Sequence, residues 1–218
     1  MGMIEYPKIE TLYARDMEGS KKLIEGKFRD ETLEFIKDCK FIWTEKIDGT
    51  NTSVYWDGHK VEYRGRTENA QIPTPLINYL NTTFNTNESE EMFEQKFGET
   101  KVILFGEGYG PKIQKGGLYR DDVSFILFDV LILDAEEKPV IWLKREDVED
   151  VAKAFGIDVV PIVGEGTLEE AVEYVKTHPK STIGGKADME GVVARPMVDL
   201  LDRRGKRVFV KIKYRDFS

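Results

Sequence analysis

The stretch around which this sequence is organised reads EKIDGTN, residues 45–51. It joins two runs with the composition of β-strands, residues 41–44 and 52–56. A lysine between strands is ordinarily a solvated surface residue. Here, however, the glycine lets a ligand approach the backbone closely, and Asp48 and Asn51 offer oxygen and amide groups suited to a hydrated metal ion or a phosphate. A lysine in such company can act as a nucleophile if its surroundings hold the amine neutral.

The bulk composition is that of a globular protein. Of the 218 residues, 40% are hydrophobic and 33% are charged. The longest apolar run, residues 123–133, is interrupted by polar residues and too short to cross a bilayer, and no signal peptide is recognisable. The single cysteine, Cys39, excludes an internal disulfide framework and indicates a reducing cytoplasm. Its helical surroundings predict a small core residue.

The charge argues against a protein that coats nucleic acid non-specifically, because 32 basic and 40 acidic residues give a net charge of −8. The basic residues are nevertheless concentrated near the C-terminus, in a segment without acids. They are Arg203, Arg204, Lys206, Arg207, Lys211, Lys213 and Arg215. A local basic face of this kind is compatible with binding of a polyphosphate or a nucleic-acid end, although a solvated terminal strand would have the same composition.

Periodicity and turn residues predict a mixed α+β fold. Helices are predicted over residues 73–84, 88–97, 144–155 and 167–176, the last opened by a capping box. Strands are predicted over residues 23–28, 101–105, 124–132, 159–163, 190–195 and 207–214. The sequence has no internal repeat and no low-complexity linker. We therefore expect residues 1–218 to form a single α+β domain of antiparallel sheets with flanking helices.

Two local patterns predict where side chains meet. The dipeptide Asp57-Gly58 is a two-residue hairpin signal, and centring the hairpin there pairs residues whose numbers sum to 115, which places Arg66 opposite Gly49. Glu107 stands between two glycines at the expected end of a strand, where a carboxylate is well placed to reach a ligand.

Six ordered motifs resemble those of the covalent nucleotidyltransferases, the superfamily of ATP-dependent polynucleotide ligases and RNA capping enzymes. In chain order they are Lys46-Ile47-Asp48-Gly49-Thr50-Asn51, Arg66-Thr67, Phe105-Gly106-Glu107-Gly108, Phe125-Ile126-Leu127-Phe128-Asp129, Glu190-Gly191-Val192-Val193 and Lys211-Ile212-Lys213. The further string Gly110-Pro111-Lys112-Ile113-Gln114-Lys115 is similar to the nick-sealing type 2 branch of ATP-dependent RNA ligases. The resemblance runs from about Phe41 to Lys213, nearly the whole chain.

The resemblance implies a three-step reaction that uses ATP and Mg²⁺ or Mn²⁺. Lys46 attacks the α-phosphate of ATP, AMP passes to a 5′-phosphate end, and a 3′-hydroxyl then displaces AMP. The implied catalytic residues are Lys46, Glu190, Lys211 and Lys213; the implied nucleotide-binding residues are Glu45, Arg66, Glu107, Phe128 and Arg195; the implied metal ligands are Asp48, Asn51 and Glu190. In these roles Glu107 hydrogen-bonds the ribose, Phe128 stacks on adenine, and Arg66 holds the ribose or the 5′-phosphate. The lysines and the metal would disfavour the charged form of Lys46 and neutralise charge on the α-phosphate.

One departure from the family pattern concerns the C-terminus. The sequence ends five residues after Lys213, where type 2 RNA ligases carry a further domain. We therefore expect a minimal catalytic domain that acts on RNA in a nicked duplex, with a partner subunit for the absent domain left open. A DNA ligase, a 5′-end adenylating enzyme and, from another class, a non-catalytic nucleotide-binding regulator are the alternatives.

Overall fold

The computed structural model describes residues 4–67 and 69–218. Within those residues the chain forms five α-helices and thirteen β-strands. The helices are α1 (Glu31–Phe35), α2 (Thr74–Phe84), α3 (Asn87–Phe97), α4 (Arg145–Phe155) and α5 (Leu168–Lys176). The strands are β1 (Glu10–Thr11), β2 (Tyr13–Arg15), β3 (Leu23–Phe28), β4 (Phe41–Glu45), β5 (Thr50–Trp56), β6 (Val61–Gly65), β7 (Val102–Tyr109), β8 (Ser124–Leu133), β9 (Pro139–Trp142), β10 (Asp158–Val159), β11 (Ile162–Gly166), β12 (Gly191–Pro196) and β13 (Val210–Lys213). None of the helices in this described part is long and apolar enough to cross a membrane.

The chain divides into two compact units, each with its own sheet and hydrophobic core. The first unit comprises Asp48–Val160 and the short N-terminal stretch that ends at Tyr6. The second unit comprises Pro7–Ile47 and Pro161–Ser218.

The first unit is built on a sheet in the order β10-β8-β7-β5-β6, with β9 paired to β8. All of its strand pairs are antiparallel except β10 with β8. Strands β7 and β8 are apolar and buried along most of their length, as expected for the centre of a sheet. Helices α2, α3 and α4 contribute Leu80, Phe93 and Val151 to the core, where the ring of Phe93 stacks on that of Trp56 at 4.9 Å.

The second unit is built on a sheet in the order β1-β13-β12-β4-β11. Its pairs are antiparallel except β1 with β13. Alternate residues of the central strands, such as Phe41, Val192 and Ile212, are buried against α5 in one core. By the two-residue period of a strand, the residues between them lie on the opposite face of the sheet.

The predicted α+β class and the antiparallel sheets are confirmed, helices form at all four predicted positions, and the predicted capping box opens α5. The hydroxyl of Thr167 accepts a hydrogen bond from the Glu170 N–H at 3.2 Å, and the Glu170 carboxylate accepts one from the Thr167 N–H at 2.7 Å. Helix α4 ends at Gly156, whose φ of +64° terminates the helix in the left-handed region.

Four local predictions were wrong, one of which concerns Glu107 at the candidate site. The run 159–163 is not one strand, because β10 and β11 belong to different sheets. Cys39 is exposed rather than buried, since α1 ends at Phe35, before reaching it. The hairpin of β5 and β6 pairs residues whose numbers sum to 117, such as Thr52 with Gly65.

The hairpin register is shifted because its loop has four residues. The Asp57 carboxylate accepts hydrogen bonds from the N–H groups of His59 and Lys60 at 2.8 and 2.9 Å, and the Asp57 N–H donates to the Lys60 carbonyl. Arg66 therefore follows the end of β6 and is not paired with Gly49.

Candidate active site

A carboxylate and two lysines lie at the ends of three adjacent strands of the second unit. Lys46 directly follows β4, and its N–H donates to the Gly191 carbonyl at 2.9 Å. Glu190 directly precedes β12, and Lys213 is the last residue of β13, opposite Gly191. Because β12 lies between the other two strands and runs antiparallel to both, its first residues adjoin both strand ends.

The Glu190 carboxylate binds both lysines. Its Oε2 atom lies 2.6 Å from the Lys46 Nζ atom, and its Oε1 atom lies 2.7 Å from the Lys213 Nζ atom. The exposed fractions of the side chains are 24% for Lys46, 16% for Glu190 and 11% for Lys213. Hydrogen bonds between charged groups in such a sheltered position are short and comparatively strong.

Burial and neighbouring charges shift the pKa values of Glu190 and of the nearby Lys211. Burial alone would raise the pKa of the Glu190 carboxyl, but the attraction and hydrogen bonds of Lys46 and Lys213 outweigh burial and hold that pKa below its usual range. Burial lowers the pKa of the Lys211 ammonium, and repulsion from Lys213 and Lys46 lowers it further, while Glu10 opposes the shift. Three lysines around one carboxylate leave an excess of positive charge, which attracts anions.

Glu45, which precedes the central lysine, is 1% exposed. Its carboxylate accepts hydrogen bonds from the Ser181 hydroxyl at 2.5 Å, the Thr182 hydroxyl at 2.6 Å and the Thr182 N–H at 2.9 Å. Glu45 thus ties the loop at residues 181–182 to the end of β4. Its assignment to the nucleotide stays a prediction.

Arg195, the other predicted nucleotide-binding residue of the second unit, lies on β12. Its guanidinium carbon is 5.0 Å from the centre of the Phe209 ring, a distance typical of a cation–π contact.

In the first unit, the segment after the lysine is held close to β7. The Asp48 N–H donates to the Tyr119 hydroxyl at 3.2 Å, and Asn51 on β5 is paired with Glu107 on β7. Glu107 lies within β7 rather than at a strand end, contrary to the prediction, because the strand continues through its flanking glycines to Tyr109.

Those glycines are required by close packing. A Cβ atom on Gly106 would lie 2.3 Å from the Phe125 ring, and one on Gly108 would lie 2.2 Å from a Leu76 methyl group. A Cβ atom on Gly49 would lie 2.3 Å from the Gly108 carbonyl oxygen. A side chain at Gly49 would therefore push the segment after Lys46 away from β7, whereas side chains at Gly106 and Gly108 would clash with β8 and α2.

Phe128 and Arg66 complete the predicted set in the first unit. The pairing of β7 with β8 passes from Asp129 to Leu127 and skips Phe128, which makes Phe128 the extra residue of a β-bulge. Its half-buried ring meets the ring of Tyr6 edge-on at 4.9 Å, and the Tyr6 hydroxyl donates to the Asp129 carboxylate at 2.8 Å. Arg66 is exposed.

The predicted metal ligands are the two acids Asp48 and Glu190 and the amide of Asn51. Asp48 and Asn51 belong to the first unit, whereas Glu190 belongs to the second, where its carboxylate oxygens bind lysines. Among the described residues, no group of three or more His, Cys, Asp and Glu side chains is arranged to hold a metal ion. Carboxylate and amide oxygens suit a hydrated Mg²⁺ ion, and the role of these three residues as metal ligands stays a prediction.

The sequence motifs did not predict the residues that contact the predicted site residues. Tyr119 supports the Asp48 backbone, Tyr6 packs on Phe128, and Ser181 and Thr182 hold Glu45. Ser181 lies 136 positions from Glu45, so no local pattern could have joined them. The only local feature that pointed to this loop was the group of small polar residues beside Gly184-Gly185.

The family model for RNA ligases matches residues 40–213. This chain belongs to the RNA ligase family. The match begins just before β4 and ends at Lys213. It therefore contains Glu190 with its lysine partners and every other predicted site residue. The family model therefore runs through both compact units.

Solved structures of Naegleria gruberi RNA ligase share the fold of this family member. A mutant with ATP and Mn is similar with a TM-score of 0.61 at 18% identity, over 97% of this chain and 62% of the other. A second mutant with ATP and Mn gives 0.62 at 20%, over 100% and 60%, and a mutant with AMP and Mn gives 0.60 at 20%, over 97% and 62%. The chain thus spans about three-fifths of the length of those ligases. No curated protein matches it.

Proposed function

We propose that this protein is an ATP-dependent RNA ligase that acts through a covalent lysyl-AMP on Lys46. The observation that carries the proposal is the sheltered Glu190 carboxylate, which binds the ammonium groups of Lys46 and Lys213 with Lys211 beside them. The protein as a whole is acidic, with a net charge of −8, but positive charge is concentrated around the candidate nucleophile Lys46. Membership of the RNA ligase family supports the same reaction class.

The chemistry of the first step follows from these positions. The Lys46 Nζ atom loses a proton to solvent and attacks the α-phosphorus of ATP; the N–P bond forms as the bond to the pyrophosphate oxygen breaks, and pyrophosphate leaves. The depressed pKa of Glu190 makes it a poor proton acceptor, so its role is to hold and orient Lys46 until the nucleotide arrives. Lys211 and Lys213 stabilise the negative charge that grows on the phosphate and pyrophosphate oxygens.

The remaining predicted residues bind the nucleotide. Glu107 accepts from the ribose hydroxyls, Phe128 stacks on adenine, Arg66 holds the ribose or the incoming 5′-phosphate, and Arg195 adds a phosphate contact. Glu45 acts through the loop at residues 181–182, which it orders. MgATP or MnATP is the substrate, with the ion bound through its waters to Asp48, Asn51 or Glu190. The Naegleria structures that contain ATP, AMP and Mn support this choice of nucleotide and metal.

The later steps transfer AMP to a 5′-phosphate and seal it to a 3′-hydroxyl. We place the protein in the nick-sealing branch on the string Gly110–Lys115, so its substrate is RNA in a nicked duplex. Because the family model draws on both compact units, we treat them as one nucleotidyltransferase domain. A partner subunit completes the grip on nucleic acid if sealing by this chain alone is weak.

Incubation with α-labelled ATP and Mg²⁺ tests the proposal. The wild type is expected to retain label after denaturation, and Lys46→Ala and Lys46→Arg to retain none, although arginine keeps the ion pair with Glu190. Lys101→Ala is the matched control, because the Lys101 side chain is 25% exposed and also pairs with a carboxylate, that of Glu137. It should be labelled like the wild type.

A chase with nicked duplexes then separates the alternatives. Transfer of label to a 5′ end and formation of a sealed strand with RNA, but not DNA, on the 3′-hydroxyl side supports an RNA ligase. Label that stops at the capped 5′ end indicates an adenylating enzyme. A labelled Lys46→Ala protein would exclude Lys46 as the nucleophile, and binding of ATP with no labelling of the wild type would indicate a regulator.

A further inference from the structure

The segment between β12 and β13, residues 197–209, forms a defined hairpin, here called the arginine hairpin. Leu201 and Arg207 form an antiparallel bridge, and the Val208 N–H donates to the Leu200 carbonyl at 2.8 Å. At the tip, the Asp202 carboxylate accepts from the N–H groups of Arg204 and Lys206 at 2.7 and 2.9 Å.

The tip of the arginine hairpin presents positive charge to solvent. Arg203, Arg204 and Lys206 are all exposed. The nearest acid, Asp202, is engaged by the backbone of the tip, and the hydrogen bond from the Lys206 N–H is the main cause of its lowered pKa. From Arg203 to Arg215 the sequence has seven basic residues and no acid, in a chain of net charge −8. The positive charge is therefore segregated, not averaged over the surface.

This charge continues from the hairpin along the sheet of the second unit. The guanidinium carbons of Arg207 and Arg195 lie 5.4 and 5.0 Å from the centre of the Phe209 ring. The register of β12 and β13 and the two-residue period place Arg195 and Phe209 on the same face as Lys211 and Lys213. Side chains on one face recur every ~7 Å, comparable to the spacing of successive phosphates along an extended polynucleotide.

Exposed apolar side chains adjoin the basic ones. Val198 is 74% exposed, Leu201 63% and Met197 50%. Basic and apolar side chains together fit either a polynucleotide, through phosphates and base or sugar surfaces, or an anionic membrane surface. The positive track leads along β13 to Lys213, which binds Glu190. A strand of nucleic acid can follow such a track to the reacting groups, whereas a membrane surface cannot, so the observations favour nucleic acid.

We propose that the arginine hairpin is a docking site for the RNA strand to be joined, with Arg203, Arg204 and Lys206 contacting its phosphates and the β13 track guiding it towards Glu190. This inference rests on the proposed ligase function for the identity of the polyanion. It adds a binding surface outside the residues that react with ATP.

Affinity for RNA and self-adenylation, measured separately, test the docking site. The variant is Arg203→Ala/Arg204→Ala/Lys206→Ala, and the control is Lys21→Ala/Lys22→Ala/Lys27→Ala, which removes three positive charges that are also exposed and lie in the same unit. The probe is a labelled nicked duplex with RNA on the 3′-hydroxyl side. We expect the hairpin variant to bind the probe about tenfold more weakly at about 0.1 M salt, and the slope of log K against log salt to fall in magnitude by about 2.7, as for the loss of three phosphate contacts on a duplex. Labelling by α-labelled ATP without RNA should be unchanged in both.

A second variant separates charge from shape. Arg203→Lys/Arg204→Lys/Lys206→Arg keeps every charge and is expected to bind the probe like the wild type. Equal RNA affinity and salt dependence of the alanine variant and the wild type would overturn the proposal. So would loss of binding to phosphatidylserine vesicles with RNA affinity intact, since that would identify a membrane surface. If the wild type binds RNA through the hairpin but is never labelled by ATP, the docking site stands and the ligase function fails.

Discussion

The carboxylate of Glu190 determines the charge state of the site, because it is the acid that two sheltered lysines share. Neutralising it leaves two ammonium groups close together with little solvent to screen them. Removing one partner of such a sheltered network typically costs several kcal/mol, mostly because the remaining charges are uncompensated. Lys46 and Lys213 therefore depend on Glu190 for their positions and for compensation of their charge.

We expect Glu190→Gln to lower the free energy of unfolding by about 3 kcal/mol at pH 7. The pKa of Glu190 is depressed in the folded protein, whereas unfolded glutamate titrates near ~4.3. The stabilisation is therefore complete above that pH and is lost as the pH falls through the folded-state pKa. Urea unfolding at pH 7 and near pH 3.5 should show the difference between wild type and variant shrinking at acid pH.

The control for this change is Glu136→Gln, which neutralises a 72% exposed carboxylate paired with Lys138. Exposed ion pairs contribute little, so its effect should stay within about 0.5 kcal/mol at both pH values. A Glu190→Gln difference that is independent of pH, or no larger than that of the control, would contradict the role given to Glu190.

At the scale of single residues, motif order in the sequence predicts Lys46, Glu190 and Lys213 as site residues, and the structure brings these three side chains together. Motif order was not enough to predict which residues contact the other site candidates. The contact of Glu45 with Ser181 and the contact of Tyr6 with Phe128 join distant parts of the chain. Such contacts depend on the tertiary fold, which local patterns do not encode.

At the scale of elements, β7 shows why glycines misled the prediction. Glycine is a poor strand former, so the strand was expected to end at Phe105. It continues to Tyr109 because its backbone pairs with β5 on one side and β8 on the other, and because the close packing there has no room for side chains. Helix ends, by contrast, depend on neighbouring residues in sequence, and the capping box at Thr167 predicted α5 correctly.

We expect Gly106→Ala to destabilise the protein by about 3 kcal/mol, because its Cβ atom would lie 2.5 Å from the Ile126 carbonyl oxygen and 2.3 Å from the Phe125 ring. The matched substitution is Gly156→Ala, at a φ of +64° and a ψ of +30° with open space around it, where only the strain of a left-handed backbone, about 1 kcal/mol, applies. Thermal and urea unfolding of the two variants measure the difference. Equal effects would mean that packing against β8 does not require the glycine.

At the scale of the whole molecule, the predicted site residues are distributed over both compact units. Lys46, Glu190, Lys211 and Lys213 belong to the second unit, and Glu107 and Phe128 to the first. The chain leaves the second unit after Ile47 and returns at Pro161. No linker-like composition marks either point, because both lie between short elements of regular structure, which is why the sequence did not predict them.

Under the proposed lysyl-AMP mechanism, binding of ATP should stabilise the protein against unfolding, and the covalent step should preserve that stabilisation after free ATP is removed. A ligand at 100 times its Kd adds about 2.7 kcal/mol to the free energy of unfolding. With MgATP, both the wild type and Lys46→Arg, which keeps the positive charge beside Glu190, are expected to gain Tm. After gel filtration removes free nucleotide, only the wild type should keep the gain, together with an intact mass increased by one AMP. If binding is only reversible, both proteins should lose the increase in Tm after gel filtration. If the increase in Tm persists in Lys46→Arg, the covalent bond is on another residue.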